Sequence, residues 1–248
     1  YMGPTDFSIL KTYDENLEES ISFGWGVFGW INKNIFFPLF GFLTNYFSHG
    51  IAIILLTIII RLVISPVLYK SYVSQAKMRI LRPDISKINE RFKNDAVKRQ
   101  QETMKMYSRA GASPLSGCLP AFFSSFLFIP LFYFFPIAFE LRGKSFLWAD
   151  DLSSYDVIAN LPFTIPFYGN HISLFPLLAS IAIFFYSRFT AGQQMQPSQP
   201  GMPNMKFIIY LMPVMLLFFF NNYSSGFSLY YFVSNLSLIH ISEPTRQS

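Results

Sequence analysis

The sequence predicts an all-α polytopic membrane protein with five transmembrane helices, an outer interfacial amphipathic helix and a cytoplasmic helical hairpin. Three observations predict it. The 248 residues are 52% hydrophobic and 13% charged, where soluble domains average about 25% charged. Apolar runs occupy 51–69, 116–138, 173–189, 207–221 and 226–241, and the first two reach the roughly 20 residues a bilayer requires. Of the 19 Lys and Arg residues, 11 fall between Lys70 and Arg109, against 4 acids there.

Residues 23–47 (FGWGVFGWINKNIFFPLFGFLTNYF) come first in the chain's apolar content. Asn32-Lys33-Asn34 and Pro38 interrupt the run, and Gly24, Gly26 and Gly29 weaken a helix there. The expectation over 23–50 is a helix in the outer interface, with Trp25 and Trp30 at headgroup level. A sixth span is the alternative. Residues 51–69 (IAIILLTIIIRLVISPVLY) then read as a membrane helix.

Residues 70–113 read as a hairpin. Leu81, Ile85, Ile88 and Phe92 recur at one-face helical spacing. Asn94-Asp95 supplies a turn and a helix start. Val97, Met104 and Tyr107 continue a face up to Gly111, a helix stop, with Pro114 beyond. Arg82, Lys87, Arg91, Lys98 and Arg99 make the surface basic. Short loops rich in Lys and Arg stay cytoplasmic, which puts the hairpin inside. Residues 1–34 carry the opposite bias, with Asp6, Asp14, Glu15, Glu18 and Glu19 against Lys11 and Lys33.

The remaining four spans are expected within 114–241. The third span is short unless Pro162 and Pro166 belong to an irregular lead-in, and NNYSS reads as a tight turn between the last two. Five crossings from outside leave the carboxyl end inside. Glu140–Asp156, with four acids and two bases, is then outside, and Arg188–Lys206 inside. Residues 193–204 read as a flexible Pro/Gln/Met-rich loop. The Phe-rich runs FFSSFLFIPLFYFF and MLLFFF read as lipid-facing bulk. LIHISEPTRQS looks like translated sequencing-adapter read-through, so 242–248 are expected to be a non-native tail.

The chemistry centres on Arg61. No acidic residue occurs in any apolar stretch, and a charge in hydrocarbon costs roughly 2.5–3.5 kcal/mol on insertion scales. Water is the simplest way to hold it. Arg61 lies nine residues before Lys70, hence about 13 Å deeper along the helix. Thr57 falls on the same face one turn earlier. Ser124, Ser125, Tyr230 and Tyr231 are polar or amphipathic candidates from the other helices. The plainer alternatives are a snorkelling structural charge for Arg61, helix packing for the serines and an interfacial belt for the tyrosines.

Covalent catalysis finds no support. There is no Ser-His-Asp grouping, no zinc spacing, no phosphate-cradling loop and no carboxylate pair in a span, so no cofactor or metal is expected. His49, His171 and His240 lie far apart, and the lone Cys118 reads as a packing residue.

Five strings in order, FGWGVFGWI, LTIIIRLVISPV, QAKMRILRPDISKINERFKND, QQETMKMYSRAGASPLSGCLP and LMPV…SSGFSLYYFVSNL, resemble the YidC-type insertases of bacterial inner membranes. The resemblance runs from about Tyr1 to Leu238. YMGP resembles the end of the large periplasmic domain of Gram-negative members, so 1–22 are expected to be its tail. SSF after GCLP departs from the Gln-Met-Pro-like sequence of many relatives. The basic carboxyl tail of some relatives is not seen. The resemblance implies a hydrophilic groove open to cytoplasm and lipid, with roles for Thr57, Arg61, Tyr230 and Tyr231. It implies nascent membrane proteins as clients, and the ribosome–nascent chain and the Sec translocon as partners. Sequence-specific nucleic acid is not expected. A small-solute transporter or channel is the rival reading, and it usually shows repeats or paired broken helices, which are not evident. An intramembrane enzyme would need a nucleophile–base pair or a metal.

Overall fold

A computed structural model describes residues 7–13, 17–93, 95–111, 119–194 and 205–242. The chain begins with a short helix α1 (Phe7–Leu10) and a 3-10 turn (Leu17–Ser20). Residues 26–44 form one nearly continuous helical rod: α2 (Gly26–Ile31), a π-turn (Asn32–Phe36) and α3 (Phe37–Thr44). The π-turn sits where Pro38 cannot donate a backbone N–H, so widening the turn carries the helix past the missing bond. Asn32, which interrupts the apolar run, is fully buried. Its Nδ2 donates to Phe23 O at 2.7 Å and Pro130 O at 2.8 Å.

α4 (His49–Ile80) is a single 32-residue helix, about 48 Å long at 1.5 Å per residue. It does not stop at Tyr69. No glycine or proline follows Pro66 until Pro83, so the helix runs on into the basic segment. α5 (Arg82–Arg91) and α6 (Ala96–Arg109) pack against each other. Leu81, Ile85, Ile88 and Phe92 are all half-buried. Asp95 caps α6, its Oδ1 accepting from Lys98 N at 3.0 Å, and Gly111 at φ +61 follows the helix end. The packed face of α6 carries Arg99, Thr103, Met106 and Tyr107. Val97 and Met104, expected on that face, are exposed.

α7 (Leu119–Ile137), α8 (Leu174–Gln194), α9 (Met205–Phe220) and α10 (Ser225–Ser242) complete the bundle, with 19, 21, 16 and 18 residues. α10 packs along α8 and α4, and α9 along α8. Among the described residues one helix is long and apolar enough to cross a membrane by itself, His49–Tyr69, with mean hydropathy 2.7. Shorter apolar stretches occupy Phe126–Ile137, Leu174–Arg188 and Tyr210–Phe220. The architecture is mostly helical, but it is not all-α. Between α7 and α8, β1 (Ala159–Ile165) pairs antiparallel with β2 (Gly169–Ile172), and the stretch with Pro162 and Pro166 forms this hairpin.

The core corrects a second expectation. Phe134, Phe135 and Phe220 are fully buried, not lipid-facing. Phe134 meets Phe37 at 4.8 Å and Phe40 at 5.4 Å between ring centres, and Phe220 meets Phe227 at 5.2 Å. Edge-to-face ring pairs supply helix cohesion that apolar area alone does not when lipid is the solvent. Phe218 and Phe219 do face outward.

Small residues set the closest approaches. A Cβ on Gly226 would lie 3.0 Å from Leu152 O and 3.3 Å from Ile53 Cδ1. Gly226 N donates to Leu152 O, and Ser225 N to Ser154 O at 2.7 Å, so the start of α10 is tied to the loop before β1. This end of the bundle, the cap end, also contains the α9–α10 turn. Asn221 is fully buried there. Its Nδ2 donates to Tyr168 O and His171 O at 2.8 and 2.9 Å, and its Oδ1 accepts from Ser173 N at 3.1 Å. Asp156 Oδ2 accepts from Trp148 Nε1 and from the first two backbone amides of α8 at 2.8–3.1 Å, capping that helix from 18 residues upstream.

Candidate functional site

Arg61 is the thirteenth residue of α4 and is only 7% exposed, whereas the adjacent Leu62 and Val63 are 66% and 71% exposed. One face of α4 therefore looks out of the bundle while the guanidinium turns inward. Its Nη2 donates to the Ser234 hydroxyl of α10. Its Nη1 is buried and has no hydrogen-bond partner among the described residues. A buried donor without a partner is uphill by roughly 1–3 kcal/mol, more when charged. Among the described residues the side-chain partner of the guanidinium is Ser234.

Tyr230 and Tyr231 flank this pair on α10. Tyr230 is 4% exposed and lies against both Arg61 and Ser234. Its ring also packs 6.0 Å from those of Phe135 and Phe227. Tyr231 is half-buried, near Arg61, Asn235 and Tyr186, with its ring 5.1 Å from Phe220. Both hydroxyls therefore approach the cation while the ring bodies lie in the aromatic core.

Thr57 is buried, and its hydroxyl donates to Ile53 O of its own helix at 2.7 Å. It contributes shape beside Arg61 rather than a free donor. Ser124 and Ser125 fall within α7 by backbone, and their side chains lie outside the described ones. Two residues absent from the sequence reading belong to the cluster, Ser234 and Asn235, 2% and 6% exposed. Asn235 Nδ2 donates to Tyr231 O at 2.7 Å. The available signal was spacing: Ser234 and Asn235 fall four residues after Tyr230 and Tyr231, one turn further on the same face.

Toward the α5–α6 end, Leu68 and Leu238 are buried together with Ile64 and Tyr186 packed on them. The Arg61 cluster is therefore bounded by an apolar layer on that side. The α5–α6 pair contributes a different surface. Lys87–Asp84, Lys98–Asp95 and Lys105–Glu102 pair at 2.7–3.5 Å, each i to i+3 and solvent-exposed. Such pairs contribute about 0–1 kcal/mol. The guanidinium of Arg91 stands 5.8 Å from the Phe92 ring centre. Lys87, Lys98 and Arg99 lie on exposed or half-exposed faces, and the Arg82 side chain is outside the described ones. Among the described residues no three His, Cys, Asp or Glu side chains group to hold a metal.

A cation at this depth, ringed by hydroxyls and an amide, can attract a carboxylate or stabilise a passing polar backbone. The model of the family described as 60Kd inner membrane protein matches residues 38–243. The membrane protein insertase YidC of Parabacteroides distasonis is 46% identical over 254 residues, covering 96% of this chain and 40% of that protein. The YidC proteins of Bacteroides fragilis and Porphyromonas gingivalis are 44% and 42% identical, each covering 95% of this chain and 40% of its own length. The chain spans about two fifths of the length of these curated relatives. A crystal structure of an active YidC insertase with its first transmembrane domain resolved superposes with a TM-score of 0.61 at 26% identity. It covers 98% of this chain and 54% of that one.

Proposed function

Because this chain belongs to the 60Kd inner membrane protein family, we propose that it is the membrane core of an insertase. In this reading it inserts nascent inner-membrane proteins and helps them fold. The observation that carries the reading is Arg61: a buried cation bonded to Ser234, with Nη1 unpartnered among the described residues. A segment crossing hydrocarbon must shed water from its backbone and acidic side chains, at several kcal/mol per unsatisfied group. A groove holding Arg61, Ser234, Asn235 and the Tyr230–Tyr231 hydroxyls substitutes for part of that water. No bond is made or broken, so no catalytic residue or cofactor is required.

In this reading α4, α7, α8, α9 and α10 are the five spans, α2–α3 lies in the outer interface, and the α5–α6 hairpin is cytoplasmic. The apolar layer of Leu68, Leu238, Ile64 and Tyr186 then separates Arg61 from the cytoplasm in the empty state. Entry of a client parts it. The ribosome–nascent chain and the Sec translocon are the partners we propose at the cytoplasmic end and the lateral face.

A photo-crosslinker at Tyr231, present while a single-span client is synthesised, tests the reading. Adducts between the client's translocated segment and position 231 are expected. A crosslinker at Asn222, in the cap, should give none during the same early phase. Client adducts absent at 231 yet abundant at Val63, on the outward face of α4, would place the path elsewhere. For orientation, cysteines at Asn89 and Ser153 are expected to react only from the cytoplasmic and outer sides respectively.

A further inference from the structure

Residues 157–173 contain no Asp, Glu, Lys or Arg, although the preceding Glu140–Asp156 stretch carries six such residues. A charge-free loop would be unremarkable if it were buried. This one is not: Val157, Ile158, Phe163 and Phe167 are 46%, 48%, 60% and 93% exposed. Contiguous exposed apolar surface marks a contact with something outside the chain.

The tip of the hairpin makes the point more sharply. Tyr168 N donates to Ile165 O at 3.1 Å, closing a β-turn with Pro166 and Phe167 at its centre. Phe167 has φ +66, and this third turn position with positive φ is one that Gly or Asn normally fills. A bulky residue there is an outlier, and an exposed aromatic ring gains nothing from water. Two unfavourable choices coincide in one side chain, on a fixed mount. Asn221 and Asn222 clamp the turn, Asn222 Nδ2 donating to Tyr168 O at 3.0 Å.

The position names the occupant. Tyr168 packs on Phe218, ring centres 5.2 Å apart, so the turn sits at the cap end of α9. The outward face of α9 continues from it through Phe219, Met215, Val214 and Leu211, all exposed. We propose that the β1–β2 hairpin dips Phe163 and Phe167 into the outer leaflet at headgroup depth, a second interfacial anchor in addition to α2–α3. The inference rests on α9 facing lipid. The hairpin surface is continuous with that face and carries no charge to hold it in water, and aromatic rings favour the membrane interface. The anchor fixes the depth of the cap, and through the α9–α10 turn the depth of α10 with Ser234.

Spin labels test this in the Cys118→Ser background, with the protein reconstituted in phosphatidylethanolamine–phosphatidylglycerol vesicles. Phe163→Cys and Phe167→Cys report the hairpin, Met215→Cys the α9 face and Lys105→Cys the aqueous reference. Collision with oxygen is compared with collision with a neutral nickel chelate. The expected result is a shift from chelate-dominated at 105 to oxygen-dominated at 163, 167 and 215. Phe163→Cys avoids the strained turn, so it carries the test alone if Phe167→Cys misfolds. Chelate-dominated labels at 163 and 167 with an oxygen-dominated 215 overturn the anchor and leave the lipid-facing α9 standing. Labels at 163 and 167 shielded from both reagents show a protein covering the patch and also overturn it. A chelate-dominated 215 removes the lipid-facing α9, and the anchor with it.

Discussion

Asn221 and Arg61 are both buried and polar, yet their polar atoms are used differently. At the cap end, Asn221 uses its whole amide on the chain itself: two donors to Tyr168 O and His171 O, one acceptor for Ser173 N. Its backbone carbonyl adds His171 Nε2 and the Ser173 hydroxyl at 3.0 and 3.1 Å. Among the described residues Arg61 has one hydrogen-bond partner, Ser234, and a buried Nη1 with none. A satisfied buried network fixes one structure. The Asn221 network holds the cap end, and in the proposed reading the Arg61 cluster is the part that meets a client.

This contrast predicts the effects of mutation in descending order. Asn221→Ala removes the side-chain partner of the Ser173 amide and a donor to each of Tyr168 O and His171 O, of which Tyr168 O keeps Asn222 Nδ2, and should lower stability by about 1–3 kcal/mol. A midpoint of thermal unfolding in detergent equal to the parent's would show that the cap is not the fixed end. Asp156→Ala removes the cap of α8 and the Trp148 bond, a loss of about 1–2 kcal/mol by the scale of helix caps. Amide exchange at Leu174 and Phe175 should speed up while that of α4 does not change. Gly226→Ala presses a Cβ against Leu152 O and should cost about 1–3 kcal/mol as an overpacked contact. Gly226→Ser should be no better tolerated.

The α5–α6 hairpin supplies the smallest effects. Lys105→Ala removes an exposed pair with Glu102 and should leave the unfolding midpoint where it is, because water already screens such a pair. Its pH response has a definite sign. The Lys98 amide, followed by the Lys98 charge, holds the Asp95 carboxyl below its ordinary 3.8. The cap is fully present above that value and is lost as pH falls toward the lowered one. Protection of the Lys98 amide should drop in that acid window, and Asp95→Asn should flatten the response.

How much of this was legible follows from where each signal is stored. α4 is written in its own composition, and the four half-buried residues Leu81, Ile85, Ile88 and Phe92 repeat at a spacing that a helix alone explains. The β1–β2 hairpin was not legible. β1 is exposed along most of both faces, so it lacks the alternation of a half-buried strand, and Pro162 and Pro166 argue against a strand. What holds it is Asn221–Asn222, about 50 residues later. The burial of Phe134 and Phe220 was equally hidden, because a lipid-facing Phe and a core Phe look alike in sequence. At the site, Arg61 announced itself by being the wrong residue in an apolar run. Ser234 and Asn235 are ordinary in a helix such as FVSNLSL and gain meaning only when α10 is laid against α4. Thr57 shows the converse: its position was readable, but not that its hydroxyl would turn back to Ile53.

The proposed insertion rests on the buried charge of Arg61. Its most direct test compares Arg61→Lys and Arg61→Ala for insertion of a single-span client whose translocated segment carries acidic residues. The same segment with neutral residues serves as the reference. A carboxylate in hydrocarbon is uphill by roughly 2.5–3.5 kcal/mol on insertion scales, so losing half of its compensation slows insertion about tenfold. That loss is expected for Arg61→Ala with the acidic client, a much smaller one with the neutral client, and substantial retention for Arg61→Lys. Arg61→Ala inserting the acidic client at the parent rate, in membranes holding equal amounts of folded protein, would contradict it.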